Sequence, residues 1–228
     1  MKKLLFIFVL ACLMVSSFSV TTFATTLYVE TMADGEWEYE DLDHDIDQTN
    51  DLSMTSLGMD FAINKFVYGF ELILGTEDAG LSNGDNADFT SFNGKLGYRA
   101  VNNVNCNLDL IVKLDAKVYD DVINTTFNAT LIGADLGFSL FENLYLQGSA
   151  FISIAGSVLT DDYYDYGYYY DGIDEDASCI LLKARCTYFF TDSFGASLGY
   201  RHYSYKVKSS YNPQTTDSGL TAGLAFKF

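Results

Sequence analysis

The stretch Asn107-Leu108-Asp109-Leu110-Ile111-Val112-Lys113-Leu114-Asp115-Ala116-Lys117-Val118 decides the fold. Leu108, Leu110, Val112, Leu114, Ala116 and Val118 share one parity, and Asp109, Lys113, Asp115 and Lys117 share the other. Successive side chains of an extended strand point to opposite faces, so this segment is a strand with one aliphatic and one charged side. An amphipathic helix would instead space its apolar residues by three and four.

The same pattern recurs on both sides of it. From Asn143 to Ile154, the residues Leu144, Leu146, Ala150, Ile152 and Ile154 oppose Tyr145, Gln147, Ser149 and Ser153. From Cys179 to Phe190, Ile180, Leu182, Ala184, Cys186, Tyr188 and Phe190 oppose Lys183, Arg185 and Thr187. Ten segments of this kind are expected, at about 27–42, 52–63, 66–75, 89–100, 107–118, 127–141, 144–156, 178–190, 194–206 and 218–228. Each is near or above the roughly 9–11 residues that a tilted strand needs to cross hydrocarbon. An eight-strand count follows if the first or last segment is over-read, or if loop residues are merged into a hairpin.

The connections alternate in length. Short ones fall at Asn64-Lys65, Val101 to Cys106, Glu142-Asn143 and Thr191 to Ser193. Longer polar ones fall at Asp43 to Asp51, Thr76 to Asp88, Tyr119 to Thr126, Ser157 to Ala177 and Val207 to Asp217. Tight turns on one rim and long loops on the other describe an antiparallel up-and-down β-barrel that spans a membrane. The fold class is therefore all-β, with ten strands expected.

Residues 1–24 are read as a secretory signal and residues 25–228 as the barrel. Lys2 and Lys3 precede the apolar run Leu4 to Val15, and small residues at Thr22 and Ala24 flank Phe23. Val9-Leu10-Ala11-Cys12 loosely resembles a lipobox, but that reading leaves a very short apolar core before the cysteine and an apolar tail after it. Without the signal, 11 of the 13 basic residues remain against 31 acidic ones, a net charge of −20. Such a chain repels nucleic acid, so no nucleic-acid partner is expected. The full sequence has 17 Tyr, 18 Phe and a single Pro, and so the apolar content to fold. Cys106, Cys179 and Cys186 are odd in number and lack metal-ligand spacing, so neither a disulfide framework nor a metal is expected.

The charges orient the strands. Lys95, Arg99, Lys113, Lys117, Lys183, Arg185, Arg201 and Lys227 all fall on polar strand faces. Asp60, Glu71, Asp109, Asp115 and Asp135 share those faces. Ten aliphatic faces hold more volume than the inside of a barrel this size can take, so the aliphatic faces meet lipid. The aromatics fit: Phe61, Phe66, Tyr98, Tyr188, Phe194 and Phe226 lie near the short-turn ends, and Trp37, Tyr39 and Tyr200 near the long-loop ends.

The chain ends Gly223-Leu224-Ala225-Phe226-Lys227-Phe228. A terminal Phe228, an aromatic Phe226 two before it and Gly223 three before that resemble the C-terminal β-signal of bacterial outer-membrane proteins. Ala222 departs from the pattern, which usually has a polar residue there. The resemblance is to small OmpA-like or porin-like barrels, without a specific subfamily. It implies a bacterial outer-membrane location, with outer-membrane lipid and the outer-membrane assembly machinery as partners.

The functional candidates are the expected lumen charges and one loop. Lys95, Arg99, Asp109, Lys113, Asp115, Lys117, Asp135, Lys183, Arg185 and Arg201 would line either a narrow aqueous path for small solutes or a lumen closed by compensating ion pairs. Ten strands are few beside the 16–18 of an open porin, which favours the closed or very narrow lumen. The acidic, Tyr-rich stretch Asp161, Asp162, Tyr163, Tyr164, Asp165, Tyr166 and onward to Asp171 suits contact with an extracellular ligand. Its carboxylate spacing does not match a calcium-binding EF-hand loop. No cofactor is expected. His202, on a lipid-facing parity, has no oriented partner that would make it a general base, and His44, whose neighbours Asp43 and Asp45 could build an acid–base site, is read as a solvated loop residue, so no catalytic residue is assigned.

Overall fold

The computed structural model describes residues 24–41, 46–78, 86–120, 125–160, 163–165, 168–170, 174–208 and 213–228. Ten long strands form the wall: β1 (Ala24–Asp41), β2 (Ile46–Ile63), β3 (Phe66–Asp78), β4 (Asn86–Asn102), β5 (Cys106–Asp120), β6 (Thr125–Phe141), β7 (Leu144–Thr160), β10 (Asp174–Phe189), β11 (Phe194–Val207) and β12 (Gln214–Lys227). Two short strands, β8 (Tyr163–Asp165) and β9 (Tyr168–Tyr170), pair as a separate hairpin within the longest loop. Each wall strand pairs antiparallel with its neighbours in sequence, and β12 pairs with β1, so the sheet closes. The expected ten-strand up-and-down barrel is what forms. β1 begins at Ala24, the last residue of the expected signal segment; residues 1–23 and His44 lie outside the described residues.

Tight turns gather on one rim. Asn64 adopts a φ of 55° in the two-residue link between Ile63 and Phe66, a left-handed conformation that Asn tolerates better than most residues. Glu142-Asn143 makes the equivalent link between β6 and β7. The aromatics gather at this rim as well: Phe66 meets Tyr98 edge-on at 6.3 Å between ring centres, and Phe190, Phe194 and Phe226 form a chain with spacings of 5.9 and 5.1 Å.

At the long-loop rim the strands extend past the expected ends. β2 begins at Ile46 rather than near 52, and β12 at Gln214 rather than near 218. An 18-residue strand at about 3.3 Å per residue, tilted by about 45°, stands roughly 40 Å tall, against an apolar band of about 25 Å. Because the aromatic girdle hugs the short turns, the surplus height lies on the long-loop side.

That surplus changes the polarity of the wall. In the short-turn half, Leu96, Leu110 and Leu198 face outward and are 58%, 53% and 69% exposed, while Asp109 and Asp135 face inward and are buried. In the long-loop half the inward residues are mostly apolar, as with Leu52 and Met54 on β2, Phe89 on β4 and Phe127 and Leu131 on β6, with Asp115 and Lys117 set among them. Their outward neighbours there are Ser53, Thr55, Thr90, Asn128 and Thr130. One wall thus carries a membrane barrel, apolar outside, surmounted by a mouth that is apolar inside and polar outside.

One sequence expectation is corrected here. Trp37 and Tyr39 do not belong to an outer lipid-facing girdle. The register of β1 against β2 shifts between Met32 and Gly35, which reverses the parity. Trp37 then packs against the interior cluster and stacks on Tyr39 at 6.1 Å.

Val112, outward and half-exposed near the middle of β5, should not tolerate a charge. Val112→Arg is expected to destabilise the refolded barrel in lipid vesicles by about 2–4 kcal/mol, read from its urea unfolding midpoint. Thr90→Arg, outward on the polar mouth, should stay within about 0.5 kcal/mol.

Candidate functional site

The alternation of each strand sends its charged face inward, so the lumen is the one place where charges from nearly every strand meet. Lys95, Arg99, Asp109, Lys113, Asp115, Lys117, Asp135, Lys183, Arg185 and Arg201 all project into it. A buried charge must be paired to be tolerated, and the pairs form across the barrel as well as between adjacent strands.

Four clusters rise from the short turns. Lowest, Arg99 grips Asp109 through two bonds, Nε to Oδ1 at 2.8 Å and Nη2 to Oδ2 at 3.0 Å. Tyr145 donates to Asn107 beside it at 2.9 Å. Next, Lys95 Nζ lies 2.9 Å from Asp60 and 2.9 Å from Asp135. Arg185 Nε reaches Glu30 at 2.6 Å, Ser197 donates to the same carboxylate at 3.1 Å, and the Tyr28 ring lies 4.0 Å from the guanidinium carbon. Near mid-barrel, Glu71 accepts from Lys183 at 2.5 Å and from Arg201 at 3.3 Å.

Above these lies the apolar filling of the mouth. Ile73, Leu131 and Leu181 are at most 1% exposed, with Met54, Phe151 and Cys179 packed around them. Two polar bridges are set into it. Asp115 accepts from Tyr205 at 2.6 Å and from Ser91 at 3.4 Å, and the Tyr205 hydroxyl also meets that of Tyr203. Lys117, 2% exposed, spans from Glu77 at 3.1 Å to Asp217 at 2.6 Å, with Tyr119 also donating to Glu77 at 2.8 Å. The Phe89 and Tyr119 rings flank this ammonium at 4.1 and 4.5 Å. Aromatic faces and two carboxylates together replace the water that Lys117 has lost.

Sequence reasoning missed three of these partners. Glu30, Glu77 and Asp217 sit on strand stretches where the face pattern is blurred by the β1 register shift or by the change of polarity at the mouth. A count of cations against carboxylates on the inward parity, taken strand by strand, would have pointed to them. His202 faces outward between inward Arg201 and Tyr203, away from the lumen carboxylates. Asp161, Asp162, Tyr166 and Asp171 lie outside the described residues; Tyr163, Tyr164 and Asp165 form strand β8. Gly223 packs so tightly against β1 that an added Cβ would lie 2.2 Å from the Val29 carbonyl oxygen, and Phe226 packs at a tilt against Phe194. Phe228 is exposed. Among the described residues, no cluster of three or more His, Cys, Asp or Glu is arranged to hold a metal.

A closed antiparallel barrel with an apolar belt outside and ion pairs inside is a membrane-spanning barrel of the bacterial outer-membrane class. Among solved structures, the outer membrane protease OmpT from Escherichia coli superposes with a TM-score of 0.63, over 92% of this chain and 99% of that one, at 11% identity. Neisserial surface protein A aligns over 90% of this chain and 97% of its own, with a TM-score of 0.44 and 12% identity. An outer membrane channel from Pseudomonas putida F1 aligns over 92% and 97%, with a TM-score of 0.46 and 11% identity. What is shared at such identity is the fold. No family model and no curated protein matches the sequence.

The Lys117 bridge makes a quantitative expectation. Lys117→Met leaves Glu77 and Asp217 facing each other without a cation, and should cost about 3–5 kcal/mol of unfolding free energy. The triple replacement Lys117→Met, Glu77→Gln, Asp217→Asn should recover most of that loss. Urea unfolding of the refolded proteins, followed by the Trp37 fluorescence, measures both.

Proposed function

We propose that this chain is a sealed outer-membrane barrel that holds its long-loop rim above the membrane, rather than an open path for solutes. The carrying observation is the buried apolar layer of Ile73, Leu131, Phe151 and Leu181 beneath the Lys117 bridge. A conducting lumen needs a continuous wet column. Here the charged cavities, of about 60 and 260 Å³, lie on the short-turn side of that layer. The ion pairs below then act as filling, with Lys95, Arg99 and Arg185 each held by a carboxylate of the wall.

The height of the wall supports the second half of the reading. A barrel that only crossed the membrane would not need 18-residue strands. The extra turns of wall, with their own apolar interior, make a rigid pedestal for the loops. The β8–β9 hairpin, within the acidic Tyr-rich stretch, is the most elaborate of the described connections. Tyrosines offer large contact area at low entropic cost, and the carboxylates favour a cationic partner. This reading involves no catalytic step.

Planar-bilayer recording of the refolded protein tests it. The wild-type protein is expected to give no discrete conductance steps, and a Leu131→Gly, Leu181→Gly variant, which thins the apolar layer, to give small ones. Discrete steps from the wild-type protein would overturn the proposal.

A further inference from the structure

The cavity of about 60 Å³ at mid-barrel is lined by five cations and four carboxylates. The cations are Lys95, Lys113, Lys183, Arg185 and Arg201; the carboxylates are those of Glu30, Asp60, Glu71 and Asp135. By formal charge the lining therefore has one positive group in excess. Its distribution is uneven. Lys95 sits between two carboxylates, and Arg185 is matched by Glu30. Lys183 and Arg201, by contrast, share the single carboxylate of Glu71.

Lys113 completes the imbalance. It is 5% exposed, and among the described residues its ammonium meets no carboxylate within ion-pair range; the Phe151 ring lies 5.6 Å from it, measured to the ring centre. Asp115, two residues further out on the same face, is engaged by Tyr205 and Ser91 and does not line the cavity. A buried, unpaired ammonium is strongly unfavourable, and two half-matched cations beside it make it more so.

We infer that the cavity between Lys113, Lys183 and Arg201 binds one small monovalent inorganic anion, of the size of chloride. A single negative charge cancels the excess of the lining. A cavity of about 60 Å³ has room for a halide together with a few waters, since about 10–15 Å³ of such volume holds one water, whereas a divalent oxyanion would overshoot the charge. Entry is from the short-turn end, because the larger cavity there shares Asp60, Lys95, Asp135, Gln147 and Arg185 with this one. The site does not depend on whether the lumen conducts.

Bromide is the probe. Crystals of the refolded full-length barrel grown in sodium bromide should show an anomalous peak within reach of Lys113 Nζ, Lys183 Nζ and the Arg201 guanidinium. In solution, the unfolding midpoint should rise and then level off as chloride replaces gluconate at constant ionic strength. Lys113→Met, which removes the excess charge while keeping the side-chain length, should lose both the peak and the chloride dependence yet still migrate as a folded barrel on an unheated gel. Lys113→Gln serves the same comparison if the Met variant fails to fold. A wild-type cavity with no bromide peak, with Lys113 hydrogen-bonded to the Asn93 amide oxygen that otherwise lacks a partner, would overturn the inference. So would a chloride response that survives unchanged in the Lys113 variants.

Discussion

In hydrocarbon a backbone amide has no water to bond, so a sheet that crosses it must leave no open edge. The pairing of β1 with β12, from Thr26 opposite Lys227 up to Glu40 opposite Gln214, meets that demand. Closure then dictates the rest. Once the sheet is a tube, one face of every strand must meet acyl chains and the other must meet the opposite wall. Leu110, Val112 and Leu114 take the first role, and Asp109, Lys113 and Asp115 take the second.

A tube of ten strands is too narrow to leave its interior empty and too wide to be filled by small side chains. Large residues therefore reach across, and glycine on the neighbouring strand makes room for some of them. Tyr28 lies over Gly58, where a Cβ would come within 2.1 Å of its ring, and Phe89 lies over Gly75, where the corresponding distance is 2.2 Å. In the short-turn half the filling is ionic, in the long-loop half apolar. The division follows the surroundings of the wall. Where the outside is lipid, the strand needs a polar inner face to keep its two sides distinct; where the outside is water, an ordinary apolar core is available.

That division also accounts for what could be read in the sequence. The strand number, the inward parity of Lys113, Lys183 and Arg201 and the short-turn aromatics follow from period-two alternation, because lipid imposes a strong contrast between the faces. The mouth was not legible in the same way. On β6, Phe127, Ala129 and Leu131 are apolar and inward while Ile132, Ala134 and Leu136 are apolar and outward, so the apolar parity changes within a strand that never bends out of register with β5. A reader who takes apolarity as the mark of the lipid side assigns the upper residues to the wrong side, although the inward parity itself never changes. The shift at Met32 and Gly35 does the same for Trp37. Strand ends were lost for a related reason: beyond the membrane, polar outward residues look like loop.

The pairing of the charges lay furthest from view, and it bears on why charge is used inside at all. Lys183 with Glu71, Arg185 with Glu30 and Lys117 with Asp217 join residues 112, 155 and 100 positions apart. None of these bonds can form in an isolated hairpin; each needs the distant wall in place. An interior of interchangeable aliphatic side chains would tolerate a slipped register, since one leucine packs much like another two residues along. A lysine moved by one pair leaves both itself and its carboxylate buried without a partner, which is strongly unfavourable. The ion pairs therefore add little net stability over an apolar filling, but they separate the closed, in-register barrel from its near neighbours by a wide margin. In a chain whose closure depends on joining its first strand to its last, that separation is the more useful property.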